Sequence, residues 1–175
     1  MDNFYVLFVK TGAELKVVKE LNSWLDSSSF FPFVPQKEVL FRRNGRMKKE
    51  KEICFNGYVF INTDLESDVF ITETESVFRR VDGVYRLLNY GERTEILMKE
   101  NEYKPLMKLL GKDFCIEASV GFIVGDSVRI ISGALEGLES SIKRINRHKR
   151  EAILEVDFMG DVREVCVGLE IVERI

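Results

Sequence analysis

The feature that most constrains this chain is a change of patterning about two-thirds of the way along it. Ahead of Gly125, apolar runs alternate with stretches whose apolar residues recur three and four apart. After it only short β-rich runs remain, VRII, SSIKRIN, AILEVDF, REVCV and LEIVE, broken every few residues by Gly, Asn or charge. Short strands at that spacing in the last 55 residues describe a small barrel. One folding rule does not produce both halves. The expectation is therefore a first domain over 1–112, an aperiodic linker over 113–121 and a β-barrel over 122–175.

The first domain opens on FYVLFV (4–9), apolar at every position and so a strand covered on both faces. Leu15, Val18, Leu21 and Leu25 then recur at helical spacing. Two prolines in FFPFVP suggest a loop, followed by a strand over 34–43. Asn44-Gly45 breaks that strand. The basic segment 42–51 then leads into ICFNGYVFI, so the pattern predicts a strand, a basic hairpin arm and its return strand. LESDVFITETE reads as a helix, FRRVDGVYRLL as a turn and strand around Asp82-Gly83, and 94–110 as a helix interrupted at Pro105. Helices alternating with a small, largely antiparallel sheet make the fold class α+β.

Charge is clustered rather than spread. With 26 Lys and Arg against 29 Asp and Glu, net −3 at pH 7, the chain is no globally basic polymer binder. Neither half is basic, at 18 cations against 19 acids over 1–120 and 8 against 10 over 121–175. Yet Arg42, Arg43, Arg46, Lys48, Lys49 and Lys51 fall within ten residues that hold one acid, Glu50. A second group, Lys143, Arg144, Arg147, His148, Lys149 and Arg150, gathers on a strand end and turn of the acidic second half. Such clusters neutralise phosphates, and arginine forks grip phosphate pairs or a guanine edge. The plainer alternative for each is a solvated turn.

Other chemistries find no support. Cys54, Cys115 and Cys166 are too widely and too evenly spread for a disulfide framework or a zinc site, which suits a reducing compartment. His148 is the only histidine and sits in a basic turn. No nucleophile motif, phosphate loop or dinucleotide fingerprint accompanies it. No enzyme activity, cofactor or metal is expected. The N-terminus lacks a secretory apolar core, and no apolar run approaches the ~20 residues of a membrane span, so the expectation is a cytoplasmic monomer. Trp24, ending the first helix, reads as packing.

FYVLFVKTG, FNGYVFI and VDGV, in that order across about 110 residues, resemble the N-terminal domain of the NusG family of transcription elongation factors. VGDSVRIISGALEGLESSIKRINRHKREAILEVDF is similar to the KOW motif of the same family, an SH3-like barrel. Asn56 and Ala134 stand where the family usually has proline, and Ser140 where it usually has glycine. The resemblance implies that Phe8, Phe55, Tyr58 and Phe60 grip the clamp helices of RNA polymerase, although strand aromatics are more commonly core. It implies that Arg42, Arg43, Arg46, Lys48, Lys49, Arg79 and Arg80 face upstream or non-template DNA. Acidic overall charge, no inserted third domain and the run 147–150 resemble the specialised LoaP branch, antiterminators associated with an RNA hairpin in the leader transcript. Lys143, Arg144, Arg147, His148, Lys149 and Arg150 would then bind that RNA. The alternatives are a general factor whose barrel recruits a termination factor or ribosomal protein, and a ribosome-associated KOW protein.

Overall fold

The computed structural model describes residues 1–91 and 94–173. In chain order it runs β1 (Asn3–Val9), α1 (Glu14–Trp24), β2 (Phe30–Phe33), β3 (Gln36–Arg43), β4 (Arg46–Ile53), β5 (Tyr58–Thr63), α2 (Ser67–Arg80), β6 (Val84–Leu87) and α3 (Glu100–Leu109). There follow β7 (Cys115–Ile116), β8 (Ser119–Val124), β9 (Ser127–Ser132), β10 (Ile142–Asn146), β11 (Glu151–Phe158) and β12 (Asp161–Ile171). These elements form two compact units, 1–35 with 55–103, and 36–54 with 104 onward.

The first unit is built on an antiparallel sheet ordered β2-β5-β1-β6. β1 lies inside it, and Phe4, Tyr5, Val6, Leu7 and Val9 are buried, as an unbroken apolar run requires. Because neighbours on a strand face opposite ways, Tyr5 stacks on Phe70 of α2 at 3.8 Å between centroids, while Phe4 meets Phe33 and Tyr103 on the other face.

Several elements depart from the pattern-based expectation. Of the apolar repeat in α1, Leu21 and Leu25 are buried as expected, but in its first turns the buried positions are Glu14 and Val17, one residue ahead of Leu15 and Val18, and Leu15 is exposed. FFPF is no loop: it is β2, where Pro32 is tolerated because the strand lies at the sheet edge. The return strand of the arm is the basic segment itself, β4, and the apolar string after it breaks at 54–57 before β5 enters a different sheet. α2 takes in FRR. α3 starts at Glu100, not at 94, because the preceding backbone bonds elsewhere: Tyr90 N–H donates to Glu95 O at 3.0 Å and Met98 N–H to Phe4 O at 2.9 Å. Pro105 lies inside α3 without ending it, since its absent N–H removes a single helical bond.

The second unit holds two sheets. One, ordered β4-β3-β7, joins the arm in parallel to β7 through Gln36 opposite Cys115 and Lys37 opposite Ile116. The other is five-stranded, ordered β10-β11-β12-β8-β9, and curls into a half-barrel of the kind the KOW-like pattern implies. The segment read as linker carries β7 and the start of β8, pieces too short to show periodicity. REVCV and LEIVE are one continuous strand, β12, with Gly168 unbroken in its middle. Leu135, Leu154, Val165, Val167 and Leu169 fill the core of this sheet. Among the described residues no helix is long and apolar enough to cross a membrane.

Candidate functional site

Two surfaces gather the residues singled out above, one aromatic in the first unit and one cationic in the second. The aromatic surface starts at the turn between β4 and β5. Glu14, almost fully buried, accepts the Gly57 N–H at 2.7 Å and the Gly12 N–H at 2.9 Å, and Val9 N–H donates to Gly57 O at 2.8 Å. A carboxylate satisfies these two inward-pointing backbone donors, which would otherwise be costly to bury. The turn is thereby held at the end of β1, and the register sets Tyr58 opposite Phe8.

Phe8 lies 5.6 Å from Tyr58 and 5.2 Å from Tyr85, ring centre to ring centre. Phe8 and Tyr58 are half-buried and Tyr85 is 60% exposed, so this trio is open to a partner. Phe55 and Phe60 are 6% and 1% exposed and pack 6.0 Å apart, with Phe33 5.5 Å from Phe60. Phe60 shares the sheet face of Tyr58 two residues on, and the two phenylalanines are buried core, not part of the open trio. Sequence reasoning passed over Tyr85 and Glu14. The signal for Tyr85 was its place next to VDGV, and a carboxylate opening a helix gave no hint of burial. Tyr85 also borders a cleft of about 470 Å³ between α2 and β6, lined by Ile71, Thr74, Phe78 and Leu87.

Arg79 and Arg80 end α2 in this same unit. Arg79 is tied to Glu75 one turn back, while the Arg80 guanidinium lies 5.4 Å over the ring of Trp24. Trp24 is 52% exposed, so it is a surface residue under a cation and not the packing residue expected.

The arm is the hairpin of β3 and β4, turned by Asn44 at φ 53° and Gly45 at φ 75°, the left-handed pair that a tight two-residue hairpin requires. Pairing sets Arg43 opposite Arg46, Phe41 opposite Lys48 and Leu40 opposite Lys49. Arg42, Arg43, Arg46 and Lys48 are exposed. Lys49 is engaged, its Nζ lying 3.3 Å from Glu38, whose carboxylate also accepts the Ala118 N–H at 2.8 Å. At the end of β4, Cys54 is desolvated by burial, which pushes its thiol up to about 12 despite nearby Lys37, so it is no nucleophile at neutral pH.

The second cluster divides in the same way. Lys143 pairs with Glu155 and Arg144 with Glu164, each at 3.3 Å across the sheet. Arg147, His148, Lys149 and Arg150 form the turn between β10 and β11. Asn146 Oδ1 accepts the Lys149 N–H at 3.1 Å, and Arg150 closes the turn at φ 53°. The first three side chains are exposed. Among the described residues, no group of His, Cys, Asp and Glu could hold a metal ion.

Residues 2–107 match the family model described as "Transcription termination factor nusG". Curated relatives agree. The chain is 27% identical to the transcription termination/antitermination protein NusG of Thermus thermophilus over 95% of its own length and 94% of the relative's. The proteins of the same name from Lactococcus lactis and Bacillus subtilis are also 27% identical, over 98% and 96% of this chain and 92% and 94% of theirs.

Proposed function

The chain belongs to the NusG family of transcription termination/antitermination factors, and from that premise we propose that it is an antiterminator of the LoaP type that rides on RNA polymerase and holds a hairpin of the nascent leader transcript. Family members are transcription factors and not enzymes, so the mechanism is tethering, with no bond made or broken. On this reading residues 1–112 act as the polymerase-binding domain, 122–175 as the RNA-binding domain and 113–121 as their connection, in a cytoplasmic monomer.

The observation that carries the polymerase reading is the open aromatic trio Phe8, Tyr58 and Tyr85 beside the α2/β6 cleft. Half-exposed rings on a rigid sheet remove a large area from water on docking and lose little side-chain entropy, which is why such residues dominate interfaces. The clamp helices offer the apolar helical surface that such a face fits. Phe55 and Phe60 are buried and contribute core packing to the same unit. At the end of α2, Arg80 over Trp24 and Arg79, which would have to leave Glu75, are the DNA contacts on this reading.

The RNA reading rests on the turn 147–150, whose exposed cations carry no ion pair among the described residues, unlike Lys143 and Arg144. Binding one hairpin there while docked on polymerase raises the local concentration of the factor at its own operon. A run-off transcription assay across a terminator, with and without the leader, tests the whole reading. Read-through that depends on both protein and leader is expected. Enhanced termination, or read-through indifferent to the leader, would point to the general NusG role instead.

A further inference from the structure

Beyond these two attachments, we propose that the arm and the turn 147–150 form one continuous cationic surface that takes a single RNA stem. The inference rests on the RNA reading of the turn and extends it to the arm, which the resemblance alone would hand to DNA.

The junction is β12. Gly168 is the cross-strand partner of Glu151, and the Leu169 N–H donates to Arg150 O at 2.8 Å, so the turn is rooted on this stretch of β12. The same Gly168 touches the arm: a Cβ at this position would fall 2.9 Å from Glu38 O and 3.1 Å from Leu40 Cγ. Leu40 is buried, and the Ala118 N–H holds the Glu38 carboxylate beside it. Two basic segments about a hundred residues apart in sequence are therefore both rooted at one glycine, the turn through its partner within the sheet and the arm through a strand of another sheet packed against it.

The charges argue for a polyanion. Arg43 and Arg46 face each other directly across the arm, an arrangement that repels. Arg42 and Lys48 flank them, and none of the four is in an ion pair among the described residues. Lys49, Lys143 and Arg144 nearby are paired with acids. Exposed cations concentrated in two groups without acid partners favour a ligand with repeated negative charge. The tip 42–47 and the turn 147–150 contain no Phe, Tyr or Trp, the larger rings on which successive unpaired bases stack. Phosphate and sugar contacts along a double-stranded stem remain, the mode by which A-form RNA is read through shape.

Fluorescence anisotropy of the full chain with a labelled RNA stem-loop, titrated at several salt concentrations, tests this against a B-form DNA duplex of equal length. The variants are R43Q/R46Q on the arm and R147Q/K149Q on the turn, with thermal melts to confirm folding. A shared surface predicts that each double variant weakens binding of the same RNA and lowers the slope of log K against log salt by about 0.9 for each cation removed, as for a duplex. Loss in the turn variant alone overturns the shared surface and leaves the RNA reading standing. Loss in neither overturns both. If the arm variant loses only DNA binding, the arm is a DNA contact and the proposal fails. G168V supplies a second check: it adds no charge, yet by wedging the arm off β12 it should weaken RNA binding in a chain that still melts cooperatively, and unchanged affinity would count against the junction.

Discussion

β1 and β4 are strands of nearly equal length, seven and eight residues, with opposite surroundings. β1 runs between β5 and β6 and is buried almost throughout, whereas β4 is an edge strand exposed at six of its eight positions. The backbone is the same; what differs is whether a neighbouring layer covers it. The contrast teaches that this molecule spends one kind of strand on stability and the other on presenting charge. A change in one should leave the other's property alone.

The sharpest way to break that division is Phe60→Ala on β5, beside β1. Removing this buried ring should cost about 3–5 kcal/mol in urea unfolding, and a loss of polymerase binding with normal stability would return Phe60 to the interface. Next comes Glu14→Ala, which strands the buried N–H of Gly57 at about 1–3 kcal/mol and leaves that of the exposed Gly12 to water. Glu14→Gln should recover part of this, because its carbonyl still accepts one of them. Tyr85→Ala tests the exposed exception in the first unit. Polymerase association measured by pull-down or interferometry should fall tenfold or more with little change in melting temperature.

Acid gives a smaller effect on the second unit. Glu139 accepts its own N–H and those of Ile130, at 3.2 Å, and Gly137, which hold its carboxyl below the ordinary 4.5. A depressed carboxylate stabilises fully above its unfolded pKa and loses that contribution as pH falls through the folded one. The protection of the Ile130 amide, its exchange rate taken relative to the intrinsic rate at each pH, should therefore fall below about pH 4.5 while amides of β1 stay protected. The smallest effect is Arg46→Gln. Relieving its repulsion with Arg43 should change stability by at most about 0.5 kcal/mol, with a slight gain expected, even as RNA affinity drops.

What the sequence made legible follows the same division. β1 could be read directly because burial on both faces writes an uninterrupted apolar run, and the arm's turn because Asn-Gly fits few other roles. β4 was missed as the return strand because an edge covered on neither side has no alternation to read. The start of the buried face of α1 was misjudged because Glu14, buried there, is charged, and its burial is justified only by two backbone donors, one distant in sequence and one in the adjoining loop. Tyr58 and Phe60 look alike in sequence. Only the packing of Phe33 and Phe55 on Phe60 assigns that ring to the interior and leaves Tyr58 at the surface.

The packing of β3 against β12 also sets a timetable. Residues 1–103 supply the first unit, but the arm within them, though it can pair with β7 soon after, meets β12 only when most of the following 72 residues have been made. At about 5–20 residues per second the ribosome takes roughly 4–14 s over that stretch. Until then Leu40 has no partner to shield it from water, so a newly made chain passes through a vulnerable interval in which a chaperone or a protease meets the hairpin before the barrel does.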